Sequence, residues 1–272
     1  MNNGLVLSEF SQHLRDEYRR IRQEYADLLL LFNQMKEHDG PYLSALYLQL
    51  LGHLQYELLQ LQVDVKTLKL RRSLLQAYIN RDETPDLSVI RLEVEEKVAE
   101  YNRILQENAE RLKTAKDLLE APLLSEEDTK ELKSLYKMLV KALHPDLHLN
   151  QSEEEENLFL QVQAAYSMGN LEKLREFSLM VESKNYDYEN TSSASDLEQM
   201  VESLHSKVQL LKDKIKEMEQ SFPFAHRQHL ADKEWIEREQ QKIKTEIEET
   251  RGQKKQIERI VTVMEEYRGG MR

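Results

Sequence analysis

The tripeptide His144-Pro145-Asp146 places an imidazole and a carboxylate on the two sides of a proline. Proline fixes its own φ and disfavours helical backbone in the residue before it, so a helix that reaches His144 must end there. The sequence therefore predicts a rigid turn that holds a basic ring and an acid at the end of a helix. Surface turns often carry recognition residues, which makes this turn the first candidate site for binding a partner.

Four lysines precede the turn at steps of three, four and four residues, which places them on one face of a helix. By itself such a row is typical of a solvated helix face. Here it stands beside the turn, in a chain with a formal net charge of −12. We therefore interpret it as a docking surface for an acidic partner. The row consists of Lys130, Lys133, Lys137 and Lys141.

A second amphipathic helix is predicted after the turn, where Ser152 and Glu155 form the signature of a capping box. The helix before the turn is predicted to begin at Ser125, with Asp128 three residues later. Apolar residues at helical spacing give each helix a face that can pack against the other. This predicted core comprises Leu132, Tyr136, Leu139 and Leu143 before the turn and Phe159, Val162, Ala165 and Tyr166 after it.

Together these residues resemble a J-domain, the module of DnaJ-type co-chaperones, and the resemblance covers residues 105–183. It implies a finger of two antiparallel helices joined by the tripeptide loop. The matching pieces are Glu131-Leu132-Lys133 with Tyr136-Lys137, the tripeptide itself, and Phe159, Val162, Ala165 and Tyr166 in the following helix.

The resemblance implies a DnaK-type heat-shock ATPase as the partner. The lysine row would steer docking, and the tripeptide would engage the ATPase where its nucleotide-binding domain meets its interdomain linker. Asp146 would form a charge-assisted hydrogen bond with an arginine of the partner. The implied result is faster ATP hydrolysis by the partner and a tighter grip on its client. We therefore expect no catalytic residue, cofactor or metal site in this chain, and no enzyme.

The chain departs from the family pattern at several positions. Met138 and Ala142 stand where many members carry further basic residues, and Leu147 replaces the usual lysine after the tripeptide. The first helix of the module ends in Leu118-Leu119-Glu120-Ala121-Pro122 in place of Leu-Gly-Val. The alternative hypothesis is a coiled-coil scaffold or adaptor in which a J-like fold no longer activates an ATPase.

Long heptad-patterned helices flank the module, and no segment shows the alternation of a β-strand. Gly40-Pro41 predicts a tight turn between two N-terminal helices, and Phe222-Pro223-Phe224 predicts a turn between two C-terminal helices. The predicted fold is all-α, a J-domain finger flanked by long antiparallel coiled-coil hairpins. Its divisions are residues 1–104 (a hairpin plus a third helix), 105–183 (the module), 184–195 (a linker) and 196–272 (the second hairpin).

Composition narrows the classes of partner. The acidic balance argues against binding to nucleic acid and to anionic membranes. The chain has no cysteine, which excludes disulfides and thiolate zinc sites, and it shows no signal-peptide pattern. The longest apolar run, Leu28 to Phe32, is too short to cross a bilayer. We expect a cytoplasmic protein whose heptads pair either within the chain or in a homo-oligomer.

Overall fold

The computed structural model describes residues 3–121, 124–147, 151–182 and 194–267. Throughout these ranges the regular structure is helical and contains no β-strand, which confirms the predicted all-α fold class. Within the same ranges, no helix combines the length and the apolar composition that crossing a membrane requires.

The chain divides into two compact units. Unit 1 comprises Met1–Pro41 and Pro122–Ala225, and unit 2 comprises Tyr42–Ala121 and His226–Arg272. This division differs from the predicted boundaries at residues 104, 183 and 195. The predicted start of the module, residues 105–121, belongs to unit 2, because that segment continues the long helix of unit 2. Most of the predicted linker, residues 184–193, lies outside the described ranges.

The N-terminal part of the chain is helical without a turn over residues 3–80. Two π-helical segments, Met35–Asp39 and Leu48–Gly52, join α1 (Asn3–Gln34), α2 (Gly40–Tyr47) and α3 (His53–Asn80). The predicted tight turn at residues 38–41, and with it the N-terminal antiparallel hairpin, is wrong. Gly40 itself has helical backbone angles, with φ −63° and ψ −53°.

A π-helical turn accommodates both residues of the misleading Gly40-Pro41 pair. The N–H of Gly40 donates to the carbonyl of Met35, five residues earlier. This wider turn leaves room for the proline ring, which collides with a carbonyl in a regular α-helix. A Cβ atom on Gly40 would lie 2.9 Å from the Met35 oxygen. The close approach of residue 40 to the Met35 carbonyl therefore requires a glycine.

Unit 1 combines α1 with a three-helix module and with α8 (Ala194–Gln220). The module consists of α5 (Glu126–Leu143), α6 (Glu153–Ser167) and α7 (Leu171–Glu182), which pack against one another. α1 packs against both α5 and α8. The buried face of α8 consists of Leu197, Val201, Leu204, Val208, Leu211 and Ile215.

α1 and α8 run in the same direction. A carboxylate oxygen of Glu17 in α1 lies 3.2 Å from a ring nitrogen of His205 in α8. Seven residues further along both helices, Glu24 lies 2.6 Å from Lys212. Contacts that advance by one heptad in each helix are those of a parallel coiled coil.

Unit 2 is built on α3, which packs against α4 (Leu87–Glu120) and α9 (Lys233–Glu265). α3 and α9 are also parallel, since their ion pairs advance together: Glu57 with Arg251 at 2.6 Å and Asp64 with Lys254 at 2.8 Å. One shared core cluster of the three helices contains Val65, Leu75, Ile90, Val94, Val98, Ile257, Val261 and Met264.

The predicted C-terminal hairpin, in which α8 and α9 pair with each other, is wrong. α8 pairs with α1 in unit 1, and α9 pairs with α3 in unit 2. Heptad stripes specify neither partner nor direction. α1 and α3 belong to different units, so each has an apolar stripe that another helix of its own unit covers.

Alanine substitutions at two glycines are expected to have opposite effects on the free energy of unfolding. Gly40→Ala is expected to destabilise the protein by about 1–2 kcal/mol, because the new Cβ collides with the Met35 carbonyl. Gly252→Ala, in α9 with nothing within 4 Å of the added atom, is expected to stabilise it by about 0.5–1 kcal/mol through helix propensity. Urea unfolding of the two variants measures both free energies. Equal stabilisation by the two substitutions would contradict the close approach.

Candidate partner-binding site

Local signals position the tripeptide as the sequence predicts. The side chain of Ser125 accepts a hydrogen bond from the N–H of Asp128 at 3.0 Å and starts α5. α5 ends at Leu143, and His144 has extended backbone with ψ 128°, as the following proline requires.

α6 begins equally clearly after the tripeptide. Ser152 and Glu155 form a complete capping box, in which each side chain accepts from the other's backbone N–H. The turn is therefore held between two helices whose ends are fixed by local hydrogen bonds.

The helices on the two sides of the turn pack through the predicted apolar faces. The rings of Tyr136 and Tyr166 stack with their centroids 4.0 Å apart. On α7, Arg175 binds both carboxylate oxygens of Glu131 in α5, at 2.8 and 2.7 Å. Eight side chains are between 0 and 6% exposed: Leu132, Tyr136, Leu139, Leu143, Phe159, Val162, Ala165 and Tyr166.

His144 is held by its own turn and by two aromatic rings. Its Nδ1 accepts a hydrogen bond from the backbone N–H of Asp146 at 3.0 Å. Tyr25 and Phe159 meet the imidazole in edge-on arrangements, with centroids 5.5 and 5.0 Å away. The side chain is 14% exposed. The free presentation expected from the sequence is therefore not observed for this imidazole, because α1 covers it.

Both carboxylate oxygens of Asp146 are bound by residues outside the three-helix module. The hydroxyl of Tyr25 in α1 donates to Oδ2, and Nζ of Lys207 in α8 donates to Oδ1 at 2.7 Å. The side chain is 33% exposed. Pro145 between these two residues is exposed. The carboxylate that the sequence predicts to be free for a partner is therefore already hydrogen-bonded within the chain.

These contacts set the protonation of Asp146. Partial burial alone would raise the pKa of its carboxyl, but the hydrogen bonds from Lys207 and Tyr25 outweigh burial and hold the pKa below its ordinary value. For Tyr25, burial and the neighbouring carboxylate raise the pKa of the hydroxyl, so it remains a donor at neutral pH. The pair is a carboxylate accepting from a protonated phenol.

The lysine row meets α1 over its C-terminal half. Lys137 pairs with Asp27, and the ammonium of Lys141 donates to the side chain of Gln23. Gln23 also donates to Asp27 at 2.8 Å, which joins the two contacts in one network. The single exposed lysine face that the sequence predicts is therefore partly covered.

The N-terminal half of the row is more open. Lys130 is exposed, and Lys133 is of intermediate exposure. The four lysines thus share one helix but have two environments, and the two nearest the turn make polar contacts with α1 through their side chains.

Sequence reasoning missed the residues of α1 and α8 that contact the candidate site. Tyr18 and Tyr25 lie on the buried face of α1. Their hydroxyls are the overlooked signal, because a buried tyrosine normally finds an acceptor. Tyr18 donates to the carbonyl of Leu147 at 3.1 Å, and Tyr25 donates to Asp146. Lys207 gave no such signal, since exposed lysines are common on coiled coils.

The arrangement brings together groups that form ion pairs and hydrogen bonds. An acid, an imidazole and two ammonium groups lie along one surface of α5 and its turn, each in contact with a partner group of matching chemistry. Among the described residues, no cluster of histidine and acidic side chains could hold a metal ion. Searches against models of protein families, curated proteins and solved structures found no match for the chain.

The contacts of Asp146 predict a measurable titration. Its pKa is expected below the ordinary aspartate value, so the stability it contributes is complete above that value and is lost as the pH falls through the lowered pKa. Lys207→Met should raise the pKa, because burial persists while one donor is lost. Carboxyl-detected NMR measures the titration, and Lys212→Met, at a lysine that pairs with Glu24 instead, is the control. An unchanged pKa in Lys207→Met would contradict the contact.

Proposed function

We propose that the chain is a J-domain co-chaperone, which docks on a DnaK-type heat-shock ATPase and stimulates its ATP hydrolysis through the His144-Pro145-Asp146 turn. The observation that carries the proposal is the turn itself: it lies between two capped helices that pack through the eight apolar residues of the predicted core. The hydrogen bond between Asp146 N–H and His144 Nδ1 gives the turn a defined shape.

The helices around the turn form the finger of the proposed J-domain. Tyr136 stacks on Tyr166, while His144 meets Phe159. Contacts that move forward from α5 into the turn and backward along α6 are those of an antiparallel pair, which supports the proposed finger. α7 braces α5 through Arg175 and Glu131, so the tip of the finger is carried by three mutually packed helices.

The chemistry of docking follows from the groups at the tip. Asp146 is suited to accept charge-assisted hydrogen bonds, and the cation it would bind in the ATPase is an arginine. The row Lys130, Lys133, Lys137 and Lys141 would meet an acidic surface and speed the encounter. ATP hydrolysis is performed by the partner, whose active conformation the bound tip favours through differential affinity for its two states.

Single-turnover ATP hydrolysis by the DnaK-type protein of the same cell tests the proposal. The wild-type chain at saturating concentration is expected to accelerate hydrolysis at least tenfold, and His144→Gln and Asp146→Asn are expected to lose most of that acceleration, a difference of ~1.4 kcal/mol or more. His53→Gln, at an exposed histidine in α3, is the matched control and should behave as wild type. Identical rates with wild type, His144→Gln and no added chain would defeat the proposal.

One observation favours the second candidate function, a coiled-coil scaffold. Asp146 and Lys137 bind α8 and α1 of their own chain, so the tripeptide region serves as an internal connection in this structure. If that were its only role, Asp146→Asn would lower the stability of unit 1, and no variant would accelerate ATP hydrolysis at any concentration. Retention of the scaffold's partners by Asp146→Asn would further support this alternative.

A further inference from the structure

The surface that a docking ATPase needs is covered by two helices of the same chain. Along α5, the covering contacts are made by Gln23 and Asp27 of α1. At the turn, they are made by Tyr25 of α1 and Lys207 of α8. The covered groups are the ones that the proposed function assigns to docking, namely Lys137, Lys141 and Asp146.

The covering helices offer the same chemistry as the proposed partner. Asp27 supplies an acid to Lys137, where the ATPase would supply its acidic surface. Lys207 supplies a cation to Asp146, where the ATPase would supply an arginine. Because Tyr25 and Lys207 already occupy both carboxylate oxygens of Asp146, an arginine of the ATPase must displace at least one of them to bind there.

We propose that the parallel α1–α8 pair is an autoinhibitory cover, which occupies the docking surface of the three-helix module and competes with the DnaK-type ATPase for it. This inference rests on the proposed function. In the closed state the lysines nearest the turn and Asp146 are bound within the chain. In the open state the pair has moved off α5 and the turn, and the ATPase binds the same groups.

The covering contacts are of a kind that a partner can displace. The side chains of Asp146 and Lys207 are 33 and 36% exposed, and those of Lys137 and Asp27 are 31 and 46% exposed. Partly exposed ion pairs are individually weak and compete readily with other charges. Such a cover lowers the population of the binding-competent state and so raises the concentration needed for docking, without changing the bound complex.

α1 also holds the module at points away from these charges. Tyr18 donates to the carbonyl of Leu147, and Asn33 donates to the hydroxyl of Tyr136 at 2.7 Å. Arg22 donates to the carbonyl of Lys141 at 2.6 Å. These contacts extend over the C-terminal half of α5 and the turn, so opening requires α1 to leave as a unit. The contact between Lys207 of α8 and Asp146 is therefore the one that a substitution can remove while α1 stays in place.

The experiment uses the full chain and the concentration dependence of ATPase stimulation. Lys207→Met is expected to lower the half-saturating concentration roughly 2–5-fold, the effect of losing one partly exposed ion pair. Tyr25→Phe, which keeps the ring against His144 and removes the hydroxyl, should act in the same direction. In both variants the maximal stimulated rate is unchanged, because the open module is the same.

Two lysine variants serve as matched controls. Lys212→Met removes the same charge from α8 five residues further along the helix, where Lys212 pairs with Glu24 and with no docking group. It should leave the half-saturating concentration within the error of wild type. Lys207→Arg keeps a donor for Asp146 and should leave the half-saturating concentration at its wild-type value. Circular dichroism melting checks that each variant is folded.

The outcomes separate this inference from the proposed function. If wild type stimulates and neither Lys207→Met nor Tyr25→Phe lowers the half-saturating concentration, the cover does not compete and the inference is overturned while the proposed function stands. If no chain stimulates at saturation, the proposed function fails and the cover with it. A fall in the half-saturating concentration with Lys212→Met equal to that with Lys207→Met would also overturn the inference, because it would show a general effect of charge.

Discussion

The carboxylate of Asp146 is the constraint on which the arrangement of unit 1 depends. A half-buried carboxylate must be supplied with donors, since an unpaired charge at such a position is costly. Its donors come from residues 121 and 61 positions away in sequence, Tyr25 and Lys207. One acid thus connects the tip of the three-helix module to α1 and α8 at once.

The same constraint explains why two roles can be assigned to the tripeptide region. As an internal connection, Asp146 joins three segments of the chain. As a docking group, it offers a carboxylate at the rigid end of α5. The two roles are compatible if they are taken in turn, because the internal donors are partly exposed and have the chemistry of the external ones. In the proposed function, closure would regulate access to a site that is already shaped.

Features that depend on near neighbours in sequence could be predicted. The caps at Ser125 and Ser152, the end of α5 before Pro145 and the buried faces of α5 and α6 follow from local hydrogen bonding and helical periodicity. Features that depend on distant segments could not. Gly40-Pro41 is typical of a turn, and nothing local distinguishes that turn from a π-helical segment whose wider path tolerates proline.

The prediction of how the long helices pair failed for the same physical reason. An apolar heptad stripe states that a helix needs a partner, but the partner and its direction depend on where the rest of the chain places other stripes. The antiparallel hairpins were the simplest pairing, whereas α1 and α8 are parallel and far apart in sequence. The residues of α1 and α8 that cover the site were missed because they follow from this pairing.

Hydrogen exchange of the full chain, with and without a saturating DnaK-type ATPase in its ATP state, tests the central claim most directly. If the α1–α8 pair covers the docking surface, binding of the ATPase must raise exchange in both helices while α5 and the turn remain protected by the new partner. A complex in which α1 and α8 keep their full protection would contradict the account, because the partner would then have bound without displacing the cover.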